Sequence, residues 1–141
     1  MPVGGTSAGL AILGEFSFSA ERNTIYSDEA LKDPYQPRLT LARDFLHLPY
    51  LQETITDSHF VERDRMGRLV TFLARILQDG WAEQARGIGV DGMTALAVDG
   101  NGVATLYGVG AVYFLRTTNF PEVCLKNTPL TFRDVQVYRL S

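Results

Sequence analysis

One stretch of this chain has the spacing of a long helix. From about Val61 to Gln78, the residues Met66, Leu69, Val70, Leu73, Ile76 and Leu77 recur at intervals that lay a single apolar stripe along one side. Arg68 and Arg75 fall on the opposite side, with Arg65 near them, and Gly80 is placed to end the helix. Beyond it the period changes to two. Ala95–Val98 and Val103–Tyr107 flank Asp99-Gly100-Asn101-Gly102, which predicts a hairpin. Gly110–Leu115 is apolar enough for a buried strand. Leu130–Leu140 reads as a last strand, with Val135 and Val137 on one face.

The part before the helix is less regular. Residues 2–5 supply at most a stub of strand, Ala8–Leu13 a short helix ended by Gly14, and Glu15–Ala20 an extended segment with Phe16 and Phe18 on one face. Residues 21–52 are loop-rich, with Pro34, Pro37 and Pro49 as breakers, and Glu53–Thr56 reads as a short strand. The class is therefore α/β with strands crowded toward the C-terminus. Too few strand–helix units are present for a complete doubly wound sheet. No repeat, low-complexity segment or internal boundary divides the 141 residues, which form a single domain.

Composition excludes several classes. The net charge of −3 gives no electrostatic basis for nucleic-acid binding. No apolar run approaches the ~18 residues of a membrane span, and residues 1–20 lack a basic segment followed by an apolar one, so no signal peptide is expected. Cys124 is the sole cysteine, so no intrachain disulfide forms, and a reducing, cytoplasmic setting is the expectation. No Cys/His cluster has metal-ligand spacing, and Gly108-Val109-Gly110 is too short for a dinucleotide fingerprint. No metal or other cofactor is expected.

Two loops carry candidate chemistry. Gly5-Thr6-Ser7-Ala8-Gly9 fits the G-x-S-x-G pattern of a nucleophile elbow, with Ser7 exposed on a sharp turn and the helix opening at Ala8 directing backbone N–H groups at a developing oxyanion. The same residues also fit a plain glycine-rich turn. Of the two histidines, His47 lies among apolar residues before Pro49 and suits a structural role. His59 follows the short strand, where α/β folds place reactive groups; alternatively, Asp57 or Ser58 caps the helix and His59 is merely exposed. Arg63, Arg65 and Arg68 either bind substrate carboxylates or form a solvated helix face paired with Glu62 and Asp64.

Together these motifs resemble the cyanophycinases and related serine peptidases. Gly4-Gly5-Thr6-Ser7-Ala8-Gly9 is similar to their nucleophile segment. Asp57-Ser58-His59-Phe60, with Arg63, Arg65 and Arg68, resembles their D-x-H-F-x-x-R-x-R-x-x-R signature, and Gly87-Ile88-Gly89-Val90-Asp91 with Thr94-Ala95-Leu96 resembles G-I-G-I-D-E-x-T-A-L. The matches run in order across residues 4–96.

The resemblance implies a class I glutamine amidotransferase-like, flavodoxin-like α/β fold, seen here as a partial three-layer sheet with C-terminal hairpin strands. It implies Ser7 as nucleophile, His59 as general base, Ala8 at the oxyanion, and Asp57, Ser58, Arg63, Arg65 and Arg68 around the substrate. The substrate class is a peptide with aspartyl linkages, such as the aspartate–arginine polymer cyanophycin, cut without a metal. Members of the family commonly dimerise.

Two departures stand out. Gly92 occupies the position of the family's glutamate that orients the histidine, leaving Asp91 and Asp28 as substitutes. The family also has a substantial half before its serine, so the expectation is the C-terminal part of such a domain, completed by a missing N-terminal half. A catalytically impaired subunit acting as an interaction module and a related aspartyl dipeptidase are the alternatives.

Overall fold

A computed structural model describes residues 1–141. In chain order its elements are α1 (Ala8–Ala11), β1 (Phe16–Phe18), α2 (Ser27–Lys32), β2 (Leu41–Arg43), β3 (Thr54–Asp57), α3 (Met66–Gln78), β4 (Arg86–Val90), β5 (Thr94–Val98), β6 (Ala104–Gly108), β7 (Val112–Arg116) and β8 (Gln136–Leu140). Six strands form one sheet in the order β2-β1-β3-β4-β7-β8. β1, β3 and β4 run parallel at its centre, and β2, β7 and β8 are antiparallel to their neighbours. β5 and β6 form a separate two-stranded hairpin. This is a mixed α/β, flavodoxin-like architecture.

α3 crosses between the parallel strands β3 and β4, and its sequence explains its position. Leu69, Leu73, Ile76 and Leu77 of the apolar stripe are buried and Met66 and Val70 partly so, but Thr71, Phe72 and Ala74 are buried as well, so burial extends well beyond one stripe. The sheet lies against one side and α2 against another. Both approaches depend on missing side chains. A Cβ on Gly87 would sit 3.1 Å from Leu69, and one on Gly67 would fall 2.8 Å from the Ser27 Cβ.

The helix starts at Met66, later than the expected Val61, because residues 59–65 close into tight turns. Arg63 N–H donates to the His59 carbonyl and Arg65 N–H to that of Phe60, with Asp64 at φ 49°. It ends as expected. Gly80 takes φ 75° and donates to the Leu77 carbonyl, while Trp81 N–H donates to that of Ile76; the two bonds satisfy carbonyls left open at the helix end.

The core gathers Phe16, Ile55, Leu69, Phe72, Leu73, Ile76, Leu77 and Leu115 between α3 and the sheet. On the opposite face Ile88, Phe114 and Tyr138 stand in register across β4, β7 and β8 and line a groove of about 590 Å³ beside the hairpin.

Within the loop-rich residues 21–52 the structure adds α2 and β2. Two expectations need correction. Residues 2–5 form no strand, and the last strand begins only at Gln136. The hairpin matches its expectation: Asp99 Oδ1 accepts N–H bonds from Asn101 at 2.8 Å and Val103 at 3.0 Å, and Gly102 takes φ 81°.

Candidate active site

Ser7 sits on a sharp turn with φ 52° and ψ −120°, a backbone region that side-chain-bearing residues rarely adopt. The turn closes through Gly9 N–H to the Thr6 carbonyl at 2.8 Å, and the Ser7 carbonyl then accepts from Leu10 and Ala11. Gly5 is required here, because a Cβ would fall 2.3 Å from the Gly9 carbonyl oxygen. Gly9 has open space around it. Of the two glycines in the pattern, only the first is demanded by close approach.

β3 fixes both partners of the site. The buried Thr56 hydroxyl donates to the Leu10 carbonyl at 2.6 Å and ties α1 to the strand. Three residues on, past the end of the strand, His59 takes φ 47° and places Nε2 3.3 Å from Ser7 Oγ. Ser7 is exposed and His59 half-buried. The pair therefore lies beside the carboxyl end of a central parallel strand, where sites in open α/β sheets occur. Ala8 opens the four-residue α1 directly after the serine.

Beneath His59 lies a knot of charge. Asp57 is fully buried and pairs in fork fashion with Arg68, Nε to Oδ2 at 2.7 Å and Nη2 to Oδ1 at 2.6 Å. Arg68 is 4% exposed, so it is no part of a solvated helix face. It also donates to the Ile25 carbonyl at 3.2 Å and stacks near Phe18 and Phe72. Arg65 reaches the Ser58 carbonyl at 2.9 Å and Asp57 Oδ1 at 3.4 Å. Burial, and then the neighbouring Arg68 charge, draws the Arg65 guanidinium below its usual range.

This geometry separates the predicted site residues into two groups. Asp57, Ser58 and Arg68 are buried and support the loop from below, without surface to offer a substrate. Arg63 and Arg65 line a cavity of about 190 Å³ with Thr24, Ile25 and Tyr26.

The expected substitutes for an orienting acid are elsewhere. Asp91 is buried and holds the loops, accepting from Val61 N–H and Ala111 N–H, each at 3.0 Å. Asp28 is exposed in the first turn of α2. Glu62 and Asp64 pair with no arginine; the Glu62 carboxylate accepts the Gly92 N–H at 2.8 Å. That bond, followed by one from its own N–H, holds the Glu62 carboxyl below the usual carboxylate range, and the His59 charge adds to the effect.

His47 does not pack among apolar residues. It is exposed, 3.7 Å from Asp44, and Glu15 completes a surface trio near the amino end of β1, away from Ser7. No helix is long and apolar enough to cross a membrane.

No family model matches the chain. Among curated proteins, it is 31% identical over 147 aligned positions to the cyanophycinase of Trichormus variabilis and equally to that of a Nostoc species; each alignment covers 100% of this chain and 43% of the relative. The cyanophycinase of Synechococcus elongatus is 28% identical over 144 positions, covering 99% of this chain and 39% of that protein. The chain thus spans about two fifths of the length of the curated relatives it matches. Along its full length it is similar to part of a cyanophycinase.

Proposed function

We propose that this chain carries the serine and histidine of a serine-type peptidase acting on aspartyl peptide linkages. The observation that carries the reading is the 3.3 Å approach of His59 Nε2 to Ser7 Oγ across fifty-two residues of sequence. A serine hydroxyl is a poor nucleophile until a base removes its proton. In this reading His59 accepts that proton as Ser7 Oγ attacks the carbonyl carbon. The Ala8 N–H supports the oxygen as it gains negative charge. His59 then passes the proton to the departing amine, and the C–N bond breaks to leave an ester on Ser7. Water, deprotonated by His59, attacks that ester, and His59 returns the proton to Ser7 Oγ as the C–O bond breaks and the acid leaves. No step requires an electron acceptor or a cofactor.

In this reading Arg63 and Arg65, which line a cavity with Thr24, Ile25 and Tyr26, supply positive charge suited to a substrate rich in carboxylates. A polymer of aspartate and arginine, as the name of the relatives indicates, is the substrate class proposed. A short aspartyl dipeptide differs from it only in how much of that surface it would cover.

Incubation with an aspartate–arginine polymer tests the reading by amine release. Hydrolysis by the parent protein, lost in both Ser7→Ala and His59→Ala, is expected. Hydrolysis that survives either substitution would contradict it.

A second reading is supported by the groove beside the hairpin, with Phe114 and Tyr138 across its floor. There the chain acts as a subunit completed by a further polypeptide, such as the remaining part of a full-length relative or a second copy. Size-exclusion chromatography separates the two. A stable, compact monomer with activity removes any need for the partner.

A further inference from the structure

We infer that Asp91 is a positioning residue for the His59 base, acting through the backbone that follows the histidine. The inference rests on the Ser7–His59 reading above and adds to it the group that keeps the base in place. His59 needs such a group. It holds φ 47°, a conformation that persists only where the surroundings fix it. The ring's one hydrogen bond is the 3.3 Å contact with Ser7 Oγ, so no other polar partner orients it. Its aim is therefore set by the main chain on either side.

Two buried carboxylates hold that main chain. Before the histidine, Asp57 Oδ1 accepts the Ser58 N–H at 3.0 Å. After it, Phe60 N–H donates to the Val90 carbonyl at 3.2 Å, and Val61 N–H donates to Asp91 Oδ1 at 3.0 Å. The two N–H groups that follow His59 are thus both tied to the end of β4. Asp91 is locked in turn to the residue before β7. Its Oδ2 accepts the Ala111 N–H at 3.0 Å, and its own N–H donates to the Ala111 carbonyl at 3.1 Å.

The two aspartates differ in how their charge is met. Asp57 is paired with Arg68, whereas Asp91, only 7% exposed, makes no ion pair. A buried carboxylate without a cation is costly to keep. Its donors explain why it is there. Two N–H groups from separate loops need two acceptors on one short side chain; a carboxylate has both, and an amide has one. Space is reserved for it as well, since a Cβ on Gly110 would fall 2.7 Å from the Asp91 Cβ. Asp91 touches no reacting atom and passes no proton.

The test uses Asp91→Asn, which keeps one acceptor and sets an N–H against the other donor. The rate at which a fluorophosphonate attaches to Ser7 is followed over a range of probe concentrations, alongside the unfolding midpoint. The saturating rate is expected to fall about ten- to a hundredfold, the loss that follows a displacement of about 1 Å in a reacting group. The half-saturating concentration should stay within about twofold of the parent. A saturating rate within about twofold of the parent, whatever the midpoint does, would make Asp91 purely structural and overturn the inference while leaving the Ser7 reading intact. A change confined to the half-saturating concentration would overturn it in the same way. A second measurement needs no variant: amide hydrogen exchange at Val61 in the parent. That side chain is 59% exposed, so the bond to Asp91 is what protects its amide. Exchange at least about tenfold slower than in an unstructured chain is expected, and unprotected exchange would overturn the inference. Failure of the parent itself to label would overturn both readings together.

Discussion

The histidine side and the serine side of the site are built in contrasting ways. Behind His59, a buried carboxylate is gripped by one guanidinium on both oxygens and approached by a second, and the aromatic rings of Phe18 and Phe72 close over Arg68. Ser7 stands on an exposed turn, with no buried residue in its helix and one hydroxyl bond from Thr56 linking that helix to the sheet. The base is thus set by long-range packing, whereas the nucleophile is set by local backbone geometry. Substitutions at the buried pair should act through stability, and those around Ser7 through reactivity.

The largest effect is expected at the buried pair. Arg68→Ala leaves the Asp57 charge without its main partner and should cost about 3–5 kcal/mol in chemical denaturation. A loss below about 1 kcal/mol, typical of an exposed pair, would break the contrast.

Next is Gly5→Ala. Its Cβ would lie 2.3 Å from the Gly9 carbonyl oxygen, so the turn must open. The expected cost is about 1–3 kcal/mol, accompanied by loss of Ser7 labelling. Thr56→Val removes the donor to the Leu10 carbonyl and should cost about 1 kcal/mol, with a fall in labelling larger than the loss of stability accounts for. Ser7→Ala should change stability least, within about 0.5 kcal/mol, because the side chain is exposed; it should nevertheless abolish labelling.

The same contrast explains what could be read from the sequence. Ser7 was legible because a glycine two residues before a serine is a local signal, and the left-handed turn needs little beyond it. The hairpin was legible for the same reason, through Asp99 and Gly102. α3 was legible from its periodicity, although its start was not, since the turns after His59 depend on Phe60 packing over Gly89.

Arg68 was misread because its burial depends on Asp57, eleven positions earlier on another element. α2 is only six residues long, too short for a clear period, and owes its place to Gly67 admitting Ser27 and Leu31. β4 contains two glycines that look like breakers. They are spaces for the side chains of Leu69 and Phe60. Glu62 resembled a partner for the nearby arginines, but two of those turn inward to Asp57, and it binds Gly92 instead.

The most direct test of the central claim is to map by mass spectrometry where a fluorophosphonate attaches to the folded protein. The account predicts one adduct, on Ser7, absent in His59→Ala. An adduct on any other serine, or labelling of Ser7 that is indifferent to His59, would contradict it.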